Sequence, residues 1–285
     1  MQYLAQENGT LGEILQKLMP GISRRKLNNL FSSERVLVNS QICLDPEKII
    51  GKEEKITVRP KVLHLPHNVK VIFEDLDFLV IEKPNHLLSV ATEKEHELSV
   101  HGILKKWKRK MIYPVHRLDR ETSGVMVFAQ TKRAQDFFKA LFQKHDIRRE
   151  YYAIVEGKID KDSFWESYLY EDANFYMHSS NNSKKGKFAK THYSILKSGA
   201  QYTSLQVNLE TGRKNQIRVQ AAASGHPIIG DSKYGAAVNP LKRLGLHAAV
   251  LGFQHPLSKK EFLFFSPPSV EFNSFFRYHR KKGNR

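Results

Sequence analysis

Apolar and polar residues follow two different rhythms along this chain, and the change between them divides it. From residue 10 to 58 the rhythm is at first helical. Leu11, Ile14, Leu15 and Leu18 recur at i, i+3, i+4 and i+7, one face of an α-helix entered at Thr10 or Gly12. Pro20-Gly21 stops that helix, and Ser23 stands where a cap is needed for a second one with Leu27, Leu30 and Phe31 as its apolar positions. Val36 and Val38 then read as a strand, and Ile56-Thr57-Val58 as another. The stretch from Pro60 to Pro66 has the proline spacing of a stiff, extended linker.

Beyond the linker the period shortens to two. Segments 69–73, 78–84, 124–130, 151–157, 191–197 and 204–210 all read as strands. The last is the cleanest, with Leu205, Val207 and Leu209 alternating against Gln206, Asn208 and Glu210. Between them a helix starts at Thr131 and gathers Ala134, Phe137, Phe138, Leu141 and Phe142 on one face, a packing stripe. Strands in hairpin-like runs with few helices predict an α+β fold with a mainly antiparallel sheet. The expected organisation is a small α/β module at 1–59, a linker at 60–69, and a large domain at 70–285 ending in a basic tail.

Charge sharpens this picture. The 285 residues carry 46 Lys+Arg against 29 Asp+Glu, a net +17, which points to a polyanionic partner, nucleic acid before an acidic membrane surface. The excess is uneven: residues 1–60 hold nine basic and seven acidic residues, so +15 belongs to the larger segment. Its clusters are Lys105–Lys110, Lys184–Lys187 and the tail from Arg277 to Lys282. A lone cysteine, Cys43, excludes an intramolecular disulfide and a multi-cysteine zinc site and fits a reducing compartment. No stretch approaches a membrane-spanning length, and the first residues lack the pattern of a signal or transit peptide, so a soluble, cytoplasmic protein is expected.

The densest chemistry lies between Pro114 and Ala129, where a turn rich in charge runs straight into an apolar strand. Asp119 stands there between Arg117 and Arg120, and nearby guanidinium groups would hold its carboxylate ionised. A surface turn tied by local ion pairs fits the same spacing, and the spacing leaves both readings open.

The run His116-Arg117-Leu118-Asp119-Arg120-Glu121-Thr122-Ser123-Gly124 followed by a hydrophobic strand resembles the signature of the RluA-type pseudouridine synthases. The likeness continues in the family's order. It passes through Asp75 to Pro84, Arg149 to Gly157, Lys187 to Tyr193, Thr211 to Arg218, Gly225 to Gly235 and Leu246 to Ala248, and reaches His255-Pro256 and Phe265 to Pro268. In front of it, Ser23-Arg24, Arg35 to Asn39, Pro46 and Gly51 to Val58 resemble the S4 RNA-binding module, a frequent companion of that family. Two glycines usual in that module are absent, near Glu34 and at Ser40.

The resemblance implies isomerisation of uridine to pseudouridine within RNA, without metal, nucleotide or redox cofactor. The N1–C1′ bond breaks, the uracil turns, and C5 bonds to C1′. Asp119 maps onto the family's essential aspartate, Tyr151 onto its active-site tyrosine, and Arg218 onto the arginine paired with the aspartate. Arg117 is the residue expected to fill the stack vacated by a flipped uridine, and Arg213 with Arg24, Arg25 and Lys26 are expected RNA contacts. The residues leave open whether Asp119 attacks C1′, adds at C6 or takes a C2′ proton; the family mechanism favours the last. Tyr151 fits either a base or a wall beneath the uracil.

The chain departs from the family at three places: Asn215 and Gln220 stand where histidines are usual, and His86 replaces a glycine, which predicts a backbone there that avoids positive φ. The expected RNA is ribosomal RNA of the large subunit, with transfer RNA as the alternative, and the protein is expected to act as a monomer. A non-catalytic ribosome-assembly factor is the alternative from another class. Metal-dependent RNA hydrolysis would need Asp119, Glu121 and Asp231 to act as a carboxylate cluster, whereas Asp231 reads as a turn residue.

Overall fold

Thr10 does cap the first helix: its hydroxyl accepts from the Glu13 N–H, and the Glu13 carboxylate accepts the Thr10 N–H in return. The computed structural model describes residues 2–39, 41–58, 62–91, 98–255 and 259–279. Two units result, 1–63 and 64–285.

The small unit comprises β1 (Gln2–Leu4), α1 (Leu11–Leu18), α2 (Arg24–Ser32), β2 (Val36–Val38), β3 (Gln41–Ile42) and β4 (Lys55–Val58). The strands form an antiparallel sheet in the order β1-β4-β2-β3. Leu11, Leu15, Leu27, Leu30 and Phe31 pack on Val36, Val38, Ile56 and Val58 as one core. Glu34 and Asn39 both take positive φ, 57° and 49°, so Glu34 makes without glycine a turn for which the S4 pattern usually uses it. Ser40 lies outside the described residues, as do 59–61, Pro256 and the tail from Arg280.

The large unit is built on β5 (Lys70–Glu74), β6 (Phe78–Lys83), α3 (Val100–Lys108), β7 (Ser123–Ala129), α4 (Lys132–Lys144), β8 (Arg148–Glu156) and β9 (Ser163–Glu171). It continues through β10 (Met177–Ser180), β11 (Lys187–Ser198), β12 (Tyr202–Leu209), α5 (Gln216–Ala223), β13 (Leu246–Gln254), β14 (Glu261–Phe265) and α6 (Val270–His279). Its sheet runs β10-β9-β11-β12-β8-β13-β7-β6-β5, with β14 beside β13. Along that path only β7 with β13 is a parallel pair; the others are antiparallel.

Strands β6 and β7 are covered on both faces, which is why they read as unbroken apolar runs. Leu79, Ile81, Met126 and Phe128 face Val100, Ile103 and Leu104 of α3, while Phe78, Val80, Val125 and Val127 face Ala134 and Phe138 of α4. Farther along, α5 packs Ile217 and Ala221 on Ala153, Val155 and Leu205, and α6 packs Phe272 and Phe275 on Ile154. Where β7 meets β13 the strands are so close that a Cβ on Gly124 would lie 2.1 Å from the Ala248 carbonyl oxygen; the φ of Gly124 is +121°.

The linker expected at 60–69 is, from residue 64, part of the large unit. Leu65 and Val69 flank a turn at Pro66–Asn68 and are buried in its core, because these two apolar side chains find a hydrophobic surface there. The backbone expectation at His86 is also corrected: its φ is +59°, so the left-handed turn is kept without glycine. The basic cluster at 105–110 belongs to the end of α3, where Lys105, Lys106 and Lys108 suit the negative end of the helix.

Candidate active site

The loop from Val115 to Thr122 is irregular, yet three side chains pin it. His116 Nε2 accepts the Val127 N–H at 3.1 Å, and its ring stacks on Phe142 at 4.6 Å. Burial, then the charge of Arg149, pushes the His116 pKa down to about 3, so the ring stays neutral and fit to accept. Ser89 Oγ donates to the Leu118 carbonyl at 2.7 Å and accepts the Leu118 N–H at 3.1 Å. Lys83 is fully buried, and its Nζ donates to the carbonyls of Pro84 (2.9 Å), Leu87 (2.7 Å) and Arg120 (2.9 Å). Leu118, between these supports, is buried, and Asp119 beside it keeps 23% of its side chain exposed.

The guanidinium that meets Asp119 comes from α5. Arg218 Nη1 donates to Asp119 Oδ2 at 3.3 Å, while Nε and Nη2 form a two-pronged contact with Asp231 at 2.7 Å each. Nη2 also lies 3.4 Å from Glu121 Oε2. Burial disfavours the Arg218 charge, but Asp231 and then Asp119 outweigh it and raise its pKa. Asp231 is therefore more than a turn residue: its side chain is wholly buried against Arg218. The three carboxylates that could nominally hold a metal are gathered around an arginine, and no metal-type cluster of His, Cys, Asp and Glu occurs among the described residues.

Asn215 starts α5 with a φ of +52° and completes the carboxylate's surroundings. In the amide orientation that satisfies both ends, Nδ2 donates to the Asp119 oxygens at 2.9 and 2.8 Å, and Oδ1 accepts from Tyr234 OH at 2.7 Å. Gln220, the other departure from the family pattern, is a buried strut. It accepts from Thr191 Oγ1 at 2.6 Å and donates to Ser167 Oγ at 3.1 Å and the Ala189 carbonyl at 3.0 Å.

Tyr151 reaches the same place from β8, at a register shift between Glu150 and Tyr151 where β8 pairs with β13. A narrow cleft is lined by Asp119, Tyr151, Arg218, Asn215, Arg117 and Arg213, with apolar walls from Leu118, Leu209, Ile217 and Leu246. Burial, despite Arg149, pushes the Tyr151 phenol up to about 12. Arg117 and Arg213 are exposed at this cleft, and Arg213 Nε donates to the Phe188 carbonyl at 3.0 Å. Arg24, Arg25 and Lys26 open α2 in the small unit with exposed side chains; Arg25 and Lys26 line an open cleft there with Asn29 and Arg35.

Lys83, Asn215 and Asp231 were not assigned roles by sequence reasoning. All three sit inside motifs quoted above, Asp75 to Pro84, Thr211 to Arg218 and Gly225 to Gly235, and that was the signal available.

Residues 77–223 match the family described as RNA pseudouridylate synthase. A Neisseria meningitidis protein named ribosomal large subunit pseudouridine synthase D is 32% identical over 91% of this chain and 75% of its own length. The chain belongs to the RNA pseudouridylate synthase family. An Escherichia coli protein of the same name as the Neisseria one is 30% identical over 90% of this chain and 86% of its own length. Two human structures share the fold of this pseudouridylate synthase. RNA pseudouridylate synthase domain containing 4 superposes with a TM-score of 0.61 at 23% identity, covering 74% of this chain and 92% of its own. Domain containing 1 gives 0.60 at 22%, covering 70% and 84%. Among the described residues no helix is long and apolar enough to cross a membrane.

Proposed function

We propose that this pseudouridine synthase acts on ribosomal RNA of the large subunit, with Asp119 as the carboxylate working at the sugar of a flipped-out uridine. The observation that carries the reading is the meeting of Asp119, Arg218 and Tyr151 in one cleft, with both Asp119 oxygens engaged from behind by Asn215 and one by Arg218. The printed names of the bacterial relatives support the choice of RNA, and a cytoplasmic site of action follows from it.

In this reading the target uridine leaves the stack, Arg117 takes its place, and the base enters beside Tyr151. The N1–C1′ bond breaks with its electron pair on the uracil, a leaving group stable as an anion and retained in the cleft. Asp119 acts at the sugar while C5 turns to C1′; N1 ends with a proton and C5 loses one, so the atoms balance. A phenol with a pKa near 12 is a poor base at neutral pH, which favours Tyr151 as a wall and hydrogen-bond donor beneath the uracil. Arg218 supplies a fixed fork that lysine cannot copy. The small unit serves as an S4-like reader of folded RNA through Arg24, Arg25 and Lys26, while the large unit supplies most of the positive charge that holds the substrate.

The test is to map pseudouridines in ribosomal RNA from cells carrying the wild type, a deletion or Asp119→Asn. Sites lost in both altered strains and restored by the wild type are expected. Modification confined to transfer RNA, or unchanged sites with Asp119→Asn, would reject the reading.

A further inference from the structure

One buried charge has no part in the chemistry above. Arg149 lies on β8 two residues before Tyr151, and its Nε and Nη2 are buried without a hydrogen-bond partner among the described residues. Such a guanidinium is costly to fold around unless something else compensates its charge. The surroundings do the opposite. Arg149 lines a groove of about 760 Å³ with Arg117, Lys139, His145 and Arg213, and the lining includes no aspartate or glutamate among the described residues. Glu210 and Asp146, the acids that act on His145, stand outside that lining, and Glu210 is engaged by His192 at 2.9 Å and Lys190 at 3.6 Å.

The chain is also shaped around this guanidinium. A Cβ on Gly212 would lie 2.6 Å from Arg149 Nη1, so a side chain there would displace the guanidinium from its present position. The ring of Phe142 lies under the guanidinium, 5.8 Å from Cζ. Burial pushes the Arg149 pKa down, in keeping with a charge that the folded protein does not compensate. The groove is continuous with the Asp119 cleft, for Arg117, Tyr151, Leu209 and Arg213 line both.

We infer that Arg149 is a substrate-binding residue that takes the backbone phosphate beside the isomerised uridine, in a groove flanked by Arg117, Lys139 and Arg213. The inference rests on the reading that the substrate is RNA. A phosphodiester supplies one negative charge per nucleotide, the counter-charge that this groove lacks. Because Tyr151 belongs to both cavities, the phosphate that Arg149 meets is adjacent to the nucleotide whose base lies on that tyrosine.

Full-length wild type, Arg149→Met and Arg149→Lys are compared on an unmodified transcript of large-subunit ribosomal RNA. A phosphate grip made equally in ground and transition states raises KM about tenfold in Arg149→Met and leaves kcat within about threefold. The slope of log Kd against log salt falls by about 0.7 to 0.9, one phosphate's share. Arg149→Lys recovers part of both losses. The melting temperature of RNA-free Arg149→Met equals or exceeds that of the wild type, since an uncompensated charge has gone. An unchanged KM and salt slope, or a lower melting temperature with an unchanged slope, would overturn the inference and make Arg149 a structural support. Failure of the wild type to form pseudouridine on the transcript would instead reject the proposed substrate, and the binding titration would still judge Arg149.

Discussion

Arg218 holds Asp231 through two nitrogens at 2.7 Å each and Asp119 through a third at 3.3 Å, so the direction of the Asp119 carboxylate is set by a buried residue behind it. Asp231 needs no contact with substrate to matter. Asp231→Asn leaves a buried arginine with less counter-charge and one fewer fixed prong. The expected cost is about 3 kcal/mol of stability, as for a broken buried pair. A fall in kcat of about a hundredfold is expected with KM nearly unchanged, because the loss is in aim. Urea unfolding and single-turnover kinetics measure the two effects; a variant with wild-type kcat would show that Asp119 is aimed by other means.

Lys83 ties three carbonyls, including that of Arg120, next to Asp119. Burial lowers its pKa from 10.5 to about 7, while the charge of Asp119 works against that fall. From about pH 7 to about 10.5 the unfolded chain therefore binds more protons than the folded one at this site. The stability contributed by this residue rises with pH through that window, and the penalty for its charge is complete below it. Against Lys83→Met, the wild type should gain stability between pH 7 and 9.5, read by urea unfolding at both values. Parallel pH profiles for the two proteins would refute this.

Tyr151 with a phenol near pKa 12 has no titration close to 10, where an unperturbed tyrosine loses its proton. The kcat profile should therefore show no inflection between pH 8 and 10 from this group. Tyr151→Phe keeps the ring and should reduce kcat by about tenfold, the worth of one hydrogen bond in a closed site. Tyr151→Ala should raise KM as well, because the wall beneath the base is gone. A pH inflection near 10 that vanishes in Tyr151→Phe would instead identify a proton-transfer role.

Asn215 joins Tyr234 to both oxygens of Asp119. Asn215→Ala removes two donor contacts from the carboxylate and should lower kcat by about ten- to thirtyfold, or 1.4 to 2 kcal/mol. Asn215→His restores the residue usual in the family and should keep more activity than alanine, since an imidazole N–H can donate to the same oxygens. Equal activity in Asn215→Ala and wild type would remove this residue from the aiming of Asp119.

Much of the frame was legible because local pattern and final environment agree. Thr131 caps the helix expected to start there, its hydroxyl accepting the Ala134 N–H, and Ala134 and Phe138 are buried as their spacing requires. The 204–210 strand shows the alternation of burial that its sequence predicts. α5 was hidden for the opposite reason. Six of its eight residues are buried, polar Gln216, Arg218 and Gln220 among them, so no apolar stripe marks it. At the site, Asp119, Tyr151 and Arg218 were legible through ordered motifs. The partnership of Arg218 with Asp231 was not, because a thirteen-residue separation across a turn leaves no periodic trace. Lys83 was equally hidden: three backbone carbonyls are its partners, and a backbone carbonyl has no letter in a sequence.

The order of strands has a consequence for synthesis of the chain on the ribosome. β7, which follows the Asp119 loop, and β8, which carries Tyr151, are not neighbours; β13 at Leu246–Gln254 lies between them. A nascent chain that has made Asp119, Tyr151, Arg218 and Asp231 therefore still lacks the strand that joins the two halves of its sheet. Translation must pass residue 254 before the cleft can close, so a chain emerging among RNA gains its complete site only once this strand has been made.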